Sequence, residues 1–193
     1  MSHPVDDASL VAQAQAGHLA SFDQLVLQHQ DVVYAVAVRM LGDREEAKDV
    51  AQDTFVRAYR SLKAFRREAK FSTWLIAITM NLCRNRRRWW ARRRQVIVAS
   101  VDEPTASGES LAHSVADPAP STAEVAQQRE LQQLLLTTLA TLDHGDREVL
   151  VLRDLQGYSY EDIARTLGCQ LGTVKSRLSR ARFALRARLD GKL

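Results

Sequence analysis

Apolar residues recur along this chain at the three-and-four spacing of amphipathic helices, and no stretch shows sustained strand alternation. Phe22, Leu25, Val26, Val33, Val36, Ala37 and Met40 make one buried stripe. Gly42 breaks that helix, Asp43 caps the next, and Glu46 stands at its third position. Ala47, Val50, Ala51, Phe55, Ala58 and Leu62 then form a second stripe, which buries against the first. A third helix opens at Ser72 or Thr73 and turns Leu75, Ile78 and Leu82 inward. The helical pattern lapses from about Ala99 to Ser121, where Pro104, Pro118 and Pro120 stand among Ser, Thr, Gly and Ala. It resumes from Ala123. The fold class is all-α, as two small helical domains over residues 8–94 and 125–190, joined by a flexible acidic linker over 95–124.

The C-terminal pattern is the sharpest. Ser159 caps a short helix, with Asp162 as its reciprocal partner, and Ile163, Ala164 and Leu167 form its apolar face. Gly168 ends it at a position that wants positive φ. Val174, Leu178 and Ala181 face inward on the following helix, which leaves Lys175, Ser176, Ser179, Arg180 and Arg182 outside. This is the layout of a helix-turn-helix, whose second helix enters a DNA major groove. The plainer reading is a helical hairpin with a solvated basic face.

Charge supports the first reading. Lys and Arg number 27 against 23 for Asp and Glu. The distribution matters more than the net +4. Seven of the eleven residues from Arg84 to Arg94 are Arg, and Leu171–Leu193 carries seven cations and one acid. Between them, Gln95–Ala123 has no Lys or Arg and four acids. Two basic blocks flanking an acidic spacer are the footprint of a polyanion partner. Cys83 and Cys169 are far apart and show no metal spacing, which fits a reducing cytosol. The five histidines are scattered, so no metal or cofactor is expected. No nucleophile constellation or phosphate loop appears, and no catalytic residue is expected. The N-terminus does not read as a signal peptide, and no window approaches the roughly 18 apolar residues of a membrane span.

Two helix faces are left without a core role. Asp49, Gln52, Asp53 and Val56 share a stripe opposite the second apolar face, acidic with one apolar residue. Such a stripe is either a solvated face or a docking surface for a basic partner. On the third helix Trp74, Asn81, Asn85 and Arg88 lie along a second stripe. Asn offers donor and acceptor to a base edge, Trp a stacking face, and Arg a phosphate contact, the equipment for an unstacked single strand.

With Asp49-Val-Ala-Gln-Asp-Thr-Phe-Val-Arg-Ala-Tyr, then Phe71-Ser-Thr-Trp-Leu, then a linker, then Gly172-Thr-Val-Lys-Ser-Arg-Leu-Ser-Arg-Ala-Arg, the chain resembles bacterial extracytoplasmic-function sigma factors. The resemblance covers both helical parts. It implies that Asp49, Gln52, Asp53 and Val56 grip the clamp of the largest subunit of core RNA polymerase, with the flap of the second-largest subunit as a further contact. It implies that Lys70, Phe71, Ser72, Trp74, Asn81, Arg84, Asn85 and Arg88 melt and read the minus-ten promoter element, with a specificity loop over 67–72. Gly172, Thr173, Lys175, Ser176, Ser179, Arg180 and Arg182 fall where the family reads the minus-thirty-five element as duplex. Promoter DNA, core polymerase and an anti-sigma factor are the implied partners, with a cytoplasmic location and phosphodiester chemistry left to the polymerase. The chain departs from the family pattern at Gln170, where relatives often carry Pro, at Ile76-Ala77, where they often carry Tyr-Arg, and at Asn85, where they often carry Asp. The alternative is a stand-alone helix-turn-helix regulator with a sensory N-terminal domain.

Overall fold

A computed structural model describes residues 6–100 and 122–189, and these are helical with short connections. The elements are α1 (Asp7–Gln15), α2 (Leu19–Leu41), α3 (Arg44–Ser61), a 3-10 turn (Leu62–Ala64), α4 (Phe71–Ser100), α5 (Thr122–Ala140), α6 (His144–Leu150), α7 (Tyr160–Leu167) and α8 (Leu171–Leu189). A π-type turn over Val151–Leu155 extends α6. Helices α4 and α5 take up both ends of the segment expected as linker, and its remainder, 101–121, lies outside the described residues.

The expected punctuation is in place. Gly42 ends α2 in the left-handed region at φ 76°. The Asp43 carboxylate accepts from the Glu45 and Glu46 amides at 2.8 and 3.0 Å, satisfying two of the donors that open α3. Ser159 accepts from the Asp162 amide at 3.0 Å and donates to the Asp162 carboxylate at 2.7 Å, a variant of the box in which the acid bonds the capping hydroxyl. Gly168 closes α7 at φ 62°. The opening of α4 differs from expectation. It begins at Phe71, and the Trp74 amide donates to the Lys70 carbonyl at 3.1 Å, so Ser72 and Thr73 lie inside the first turn rather than before it.

The first unit packs α2, α3 and α4 around Leu25, Val36, Met40, Val50, Leu75 and Met80, all buried. Thr54 and Thr79 are buried at the α3–α4 contact. Each hydroxyl donates to a carbonyl four residues back in its own helix, and the two meet at 3.3 Å, so neither polar group is stranded. The second unit packs α6, α7 and α8 through Leu152, Ile163, Val174, Leu178 and Ala181, all buried. The two units share one continuous apolar cluster, because α5 lies against α2 and α7 against α4. The two helical domains expected from sequence are present, and the packing of one against the other was not anticipated.

The loop before α4 is pinned to α1 by one side chain. Gln15 Nε2 donates to the Leu62 and Phe65 carbonyls, both at 2.9 Å, and Gln15 Oε1 accepts from Arg67 Nη2 at 2.6 Å. Arg67 sits at φ 59°, a conformation that a non-glycine residue holds only when its surroundings impose it. Gln15→Ala removes all three contacts and should lower unfolding stability by about 1–2 kcal/mol in urea titration. Amide hydrogen exchange over residues 62–70 should quicken at the same time. Unchanged exchange there would show that the loop holds its shape without Gln15.

Candidate nucleic-acid and polymerase-binding surfaces

Helix α3 buries Ala47, Val50, Thr54 and Ala58, and this leaves Asp49, Gln52, Asp53 and Val56 exposed on the opposite side. Val56 is 46 % exposed, an apolar residue on a face otherwise made of Asp49, Gln52 and Asp53. Asp49 is shared with α4, since Arg86 reaches Glu46 at 2.6 Å and Asp49 at 3.1 Å. Asp49 remains 64 % exposed, so this pair contributes little to the fold.

Helix α4 carries the second surface. Lys70, Asn81, Asn85 and Arg88 are exposed. Trp74 is half-buried, stacked on Phe65 with ring centres 4.7 Å apart, so one face of its ring belongs to the core. Phe71 corrects the expectation. It is 3 % exposed and wedged against Phe65, Trp74 and His29, so its side chain is core and only its backbone borders the surface. Farther along, Trp89 and Trp90 are exposed and meet edge to face at 4.9 Å, with the Arg93 guanidinium 5.1 Å over Trp89. Arg92, Arg93 and two indoles thus extend the basic face beyond the stripe expected from sequence.

Helix α8 carries the third. Gly172, Lys175, Ser176, Ser179, Arg180 and Arg182 are exposed, Thr173 is half-buried, and the small residues permit close approach. Two of the cations are already engaged. Arg180 forks onto Asp146 with bonds of 3.2 and 2.9 Å, and Arg182 forks onto Asp154 with bonds of 3.0 and 2.5 Å. Hydrogen bonding to those carboxylates holds both guanidinium groups even more firmly protonated. Ser176 donates to the Thr173 carbonyl at 3.1 Å within its own helix.

Between the α4 and α8 surfaces lies a cleft of about 500 Å³ lined by Arg84, Arg87, Arg88, His144, Glu148 and Arg177, among others. Arg84 crosses it to grip Glu148 through Nε and, at 3.0 Å, through Nη2. Glu148 is only 3 % exposed. His144 stands beside the pair, its Nε2 3.4 Å from Glu148. Burial, together with the charges of Arg87, Arg147 and Arg84 and against the pull of Glu148, drives the imidazole down to about 4, so it is neutral at pH 7. Burial and the Glu148 charge push the Cys83 thiol up to about 12, which makes it unreactive.

Two sequence comparisons settle the family. The model of Sigma-70 region 2 matches residues 25–94 and that of Sigma-70 region 4 matches residues 132–185. RNA polymerase sigma-H factor of Pseudomonas aeruginosa is 37% identical over 93% of this chain and 91% of its own. The ECF RNA polymerase sigma-E factor of Escherichia coli K12 is 34% identical over 96% and 95%. The chain belongs to the extracytoplasmic-function family of RNA polymerase sigma factors. Solved structures agree. CnrH, determined with the cytosolic domain of CnrY, matches at TM-score 0.67 and 31% identity over 97% of this chain and 99% of that one. RpoE of Bartonella quintana, determined with the anti-sigma factor NepR, matches at TM-score 0.67 and 28% identity over 89% and 98%.

In this sigma factor Lys70, Trp74, Asn81, Arg84, Asn85 and Arg88 border one side of α4, whereas Phe71 is core and the half-buried Ser72 points to the opposite side, and the residues expected to read the minus-thirty-five element line one side of α8. Sequence reasoning missed the charged run Asp146-Arg147-Glu148, buried at 8, 5 and 3 % exposure. No local signal marks this run, since three consecutive helical residues span about 200° and can all lie on a polar face; its burial comes from partners distant in sequence.

The depressed His144 value makes the sigma factor's stability depend on pH. Its imidazole titrates near 6.5 when unfolded and near 4 when folded, so between those values the unfolded chain binds the extra proton and stability rises with pH. The contribution is fully present above about 6.5 and is lost as pH falls through 4. His144→Gln should flatten the stability curve in that window relative to wild type, by on the order of 1–3 kcal/mol. Parallel curves for the two proteins would remove His144 as the cause.

Proposed function

We infer that this sigma factor docks on the clamp of core RNA polymerase through Asp49, Gln52, Asp53 and Val56, reads the unwound minus-ten element with α4, and reads the minus-thirty-five duplex with α8. The observation that carries this reading is the α3 stripe. An exposed valine among acids, on a face the core does not use, suits a basic partner surface with an apolar centre. A stand-alone operator-binding regulator has no use for such a face, and the match to both sigma regions favours the polymerase partner.

The roles follow from DNA chemistry. A helix enters the major groove of closed duplex, where Lys175, Ser179 and Arg180 supply donors for base edges and phosphates. Downstream bases must be unstacked first, at a few kcal/mol each, and Asn81, Asn85 and the free face of Trp74 provide replacement contacts. Lys70, Arg84 and Arg88 meet backbone phosphate. Because Phe71 is core, its part is to set the angle at which the loop leaves α4. No step calls for a catalytic residue or cofactor in this chain, since bond formation falls to the polymerase. The flap of the second-largest subunit is the second docking point we assign. No helix among the described residues is long and apolar enough to cross a membrane, and we place the protein in the cytoplasm. The likeness to RpoE with NepR supports control by an anti-sigma factor.

Run-off transcription with core polymerase on genomic fragments tests the reading, and defined start sites that depend on the added protein are expected. Asp49→Arg with Asp53→Arg changes only exposed positions and should leave thermal melting nearly unchanged, within about 0.5 kcal/mol. The same double variant should lose most co-purification with core polymerase. Normal co-purification by the folded variant would move the docking site elsewhere.

A further inference from the structure

Helix α8 buries Val174, Leu178 and Ala181, and Ala184 and Leu185 pack against the same apolar cluster. Phe183 stands outside that cluster. It is 78 % exposed, the most exposed large apolar side chain among the described residues. A single exposed apolar residue is ordinary, and what sets Phe183 apart is its place. Ser176, Ser179, Arg180 and Phe183 stand at i, i+3, i+4 and i+7, so they share one side of the helix. By that spacing a helix lying in a major groove brings four residues to base edges. Ser176, Ser179 and Arg180 already belong to the surface assigned to the minus-thirty-five element, and Phe183 completes their row. Arg186 follows three residues on, exposed on the same side, where a cation meets phosphate.

We propose that Phe183 reads a thymine, through its C5 methyl group, at the far edge of the minus-thirty-five element. The proposal rests on the assignment of α8 to that element and adds an apolar, base-specific contact to it. A phenyl ring has neither donor nor acceptor. In the major groove guanine shows two acceptors, cytosine an amino donor, and adenine one of each. Covering any of these with a ring strips water from a polar edge and replaces it with nothing. Thymine alone adds a methyl group, which a ring covers at a gain. Seven residues of helix separate Phe183 from Ser176, about 10 Å along the axis, or about three base steps. The thymine therefore lies about three base pairs from the pair that faces Ser176. A straight helix departs from a groove that curves around the duplex. Gly172, Ser176 and Ser179 suit the close approach at one end, and a larger side chain suits the wider gap at the other.

The test uses polymerase holoenzyme formed with the full-length protein, on a promoter mapped by run-off transcription. Each thymine of the upstream element is replaced singly by uracil, which removes the methyl group and keeps every hydrogen-bonding atom. At one position wild type should bind about fourfold more weakly, the effect of one buried carbon. Phe183→Ala should weaken binding to the unaltered promoter at least as much and lose its sensitivity to uracil at that position alone. Phe183→Leu keeps an apolar tip and should retain part of that sensitivity. 5-Methylcytosine at the same position should bind wild type more tightly than cytosine does, and Phe183→Ala no differently. Because the ring is exposed, thermal melting and co-purification with core polymerase should match wild type for both variants. Weakened association with core polymerase by Phe183→Ala, with uracil sensitivity unchanged, would turn the ring toward the polymerase and overturn the proposal. A wild-type holoenzyme that starts at the promoter yet has no methyl-sensitive position would overturn the thymine contact and leave the sigma reading standing. A protein that starts at no promoter would overturn both.

Discussion

One buried guanidinium joins the two halves of this molecule. Arg147 Nη1 donates to the Met40 carbonyl at 2.9 Å, and Nη2 donates to the Ala140 and Leu142 carbonyls at 2.6 and 3.3 Å. Met40 lies in the last turn of α2 and Ala140 ends α5. The final carbonyls of a helix have no partner within it, and they carry the negative end of its dipole. A single cation thus answers two helix ends that would otherwise be buried unpaired where the units meet. Its cost is visible in its own chemistry. Burial and the nearby Arg87 lower the Arg147 guanidinium to about 10. The apolar contacts of α5 with α2 and of α7 with α4 supply attraction without direction, and Arg147 fixes the angle at which the two units meet.

Charge then organises the surfaces on either side. Positive residues dominate α4 and α8, and isolated from one another they would repel across the cleft. Asp146, Glu148 and Asp154 reduce that repulsion from a single segment. The excess is not fully matched, since Arg87 Nη1 and both His144 nitrogens are buried without a hydrogen-bond partner. A neutral imidazole is the form such surroundings favour at pH 7, and Cys83 is likewise held as a thiol.

Much of this arrangement is legible in the sequence because it is local. Stripes such as Phe22–Leu25–Val36–Met40, the Asp43 and Ser159 caps, and the Gly42 and Gly168 stops are set by neighbours within a turn or two, so periodicity and cap chemistry find them. The exposed faces of α3 and α8 follow by subtraction. Phe71 was misplaced for the same reason, since a motif can mark a residue without saying whether its ring turns inward, and here Phe65, Trp74 and His29 surround it. The contact between units was illegible. Arg84 and Glu148 are 64 residues apart, and Arg147 and Met40 are 107 apart. No periodicity links such pairs, and an acidic run on a short helix resembles any solvated turn until its neighbours are known.

The ion pair at the seam contributes register more than strength. Taking two ions out of water costs several kcal/mol apiece, and their attraction recovers this only in part, so a buried ion pair is weak as a source of stability and strong as a source of specificity. Removing one partner alone is severe, about 3–5 kcal/mol, because the survivor stays buried. Parting the units is different. It exposes Arg84 and Glu148 together, and water repays both. An all-apolar seam of the same area would resist parting in proportion to its surface. Replacing part of that area with a guanidinium–carboxylate pair lowers the work of separation while still rejecting any register in which the charges miss each other. The pair therefore does more to set the register of the seam than to add to its strength.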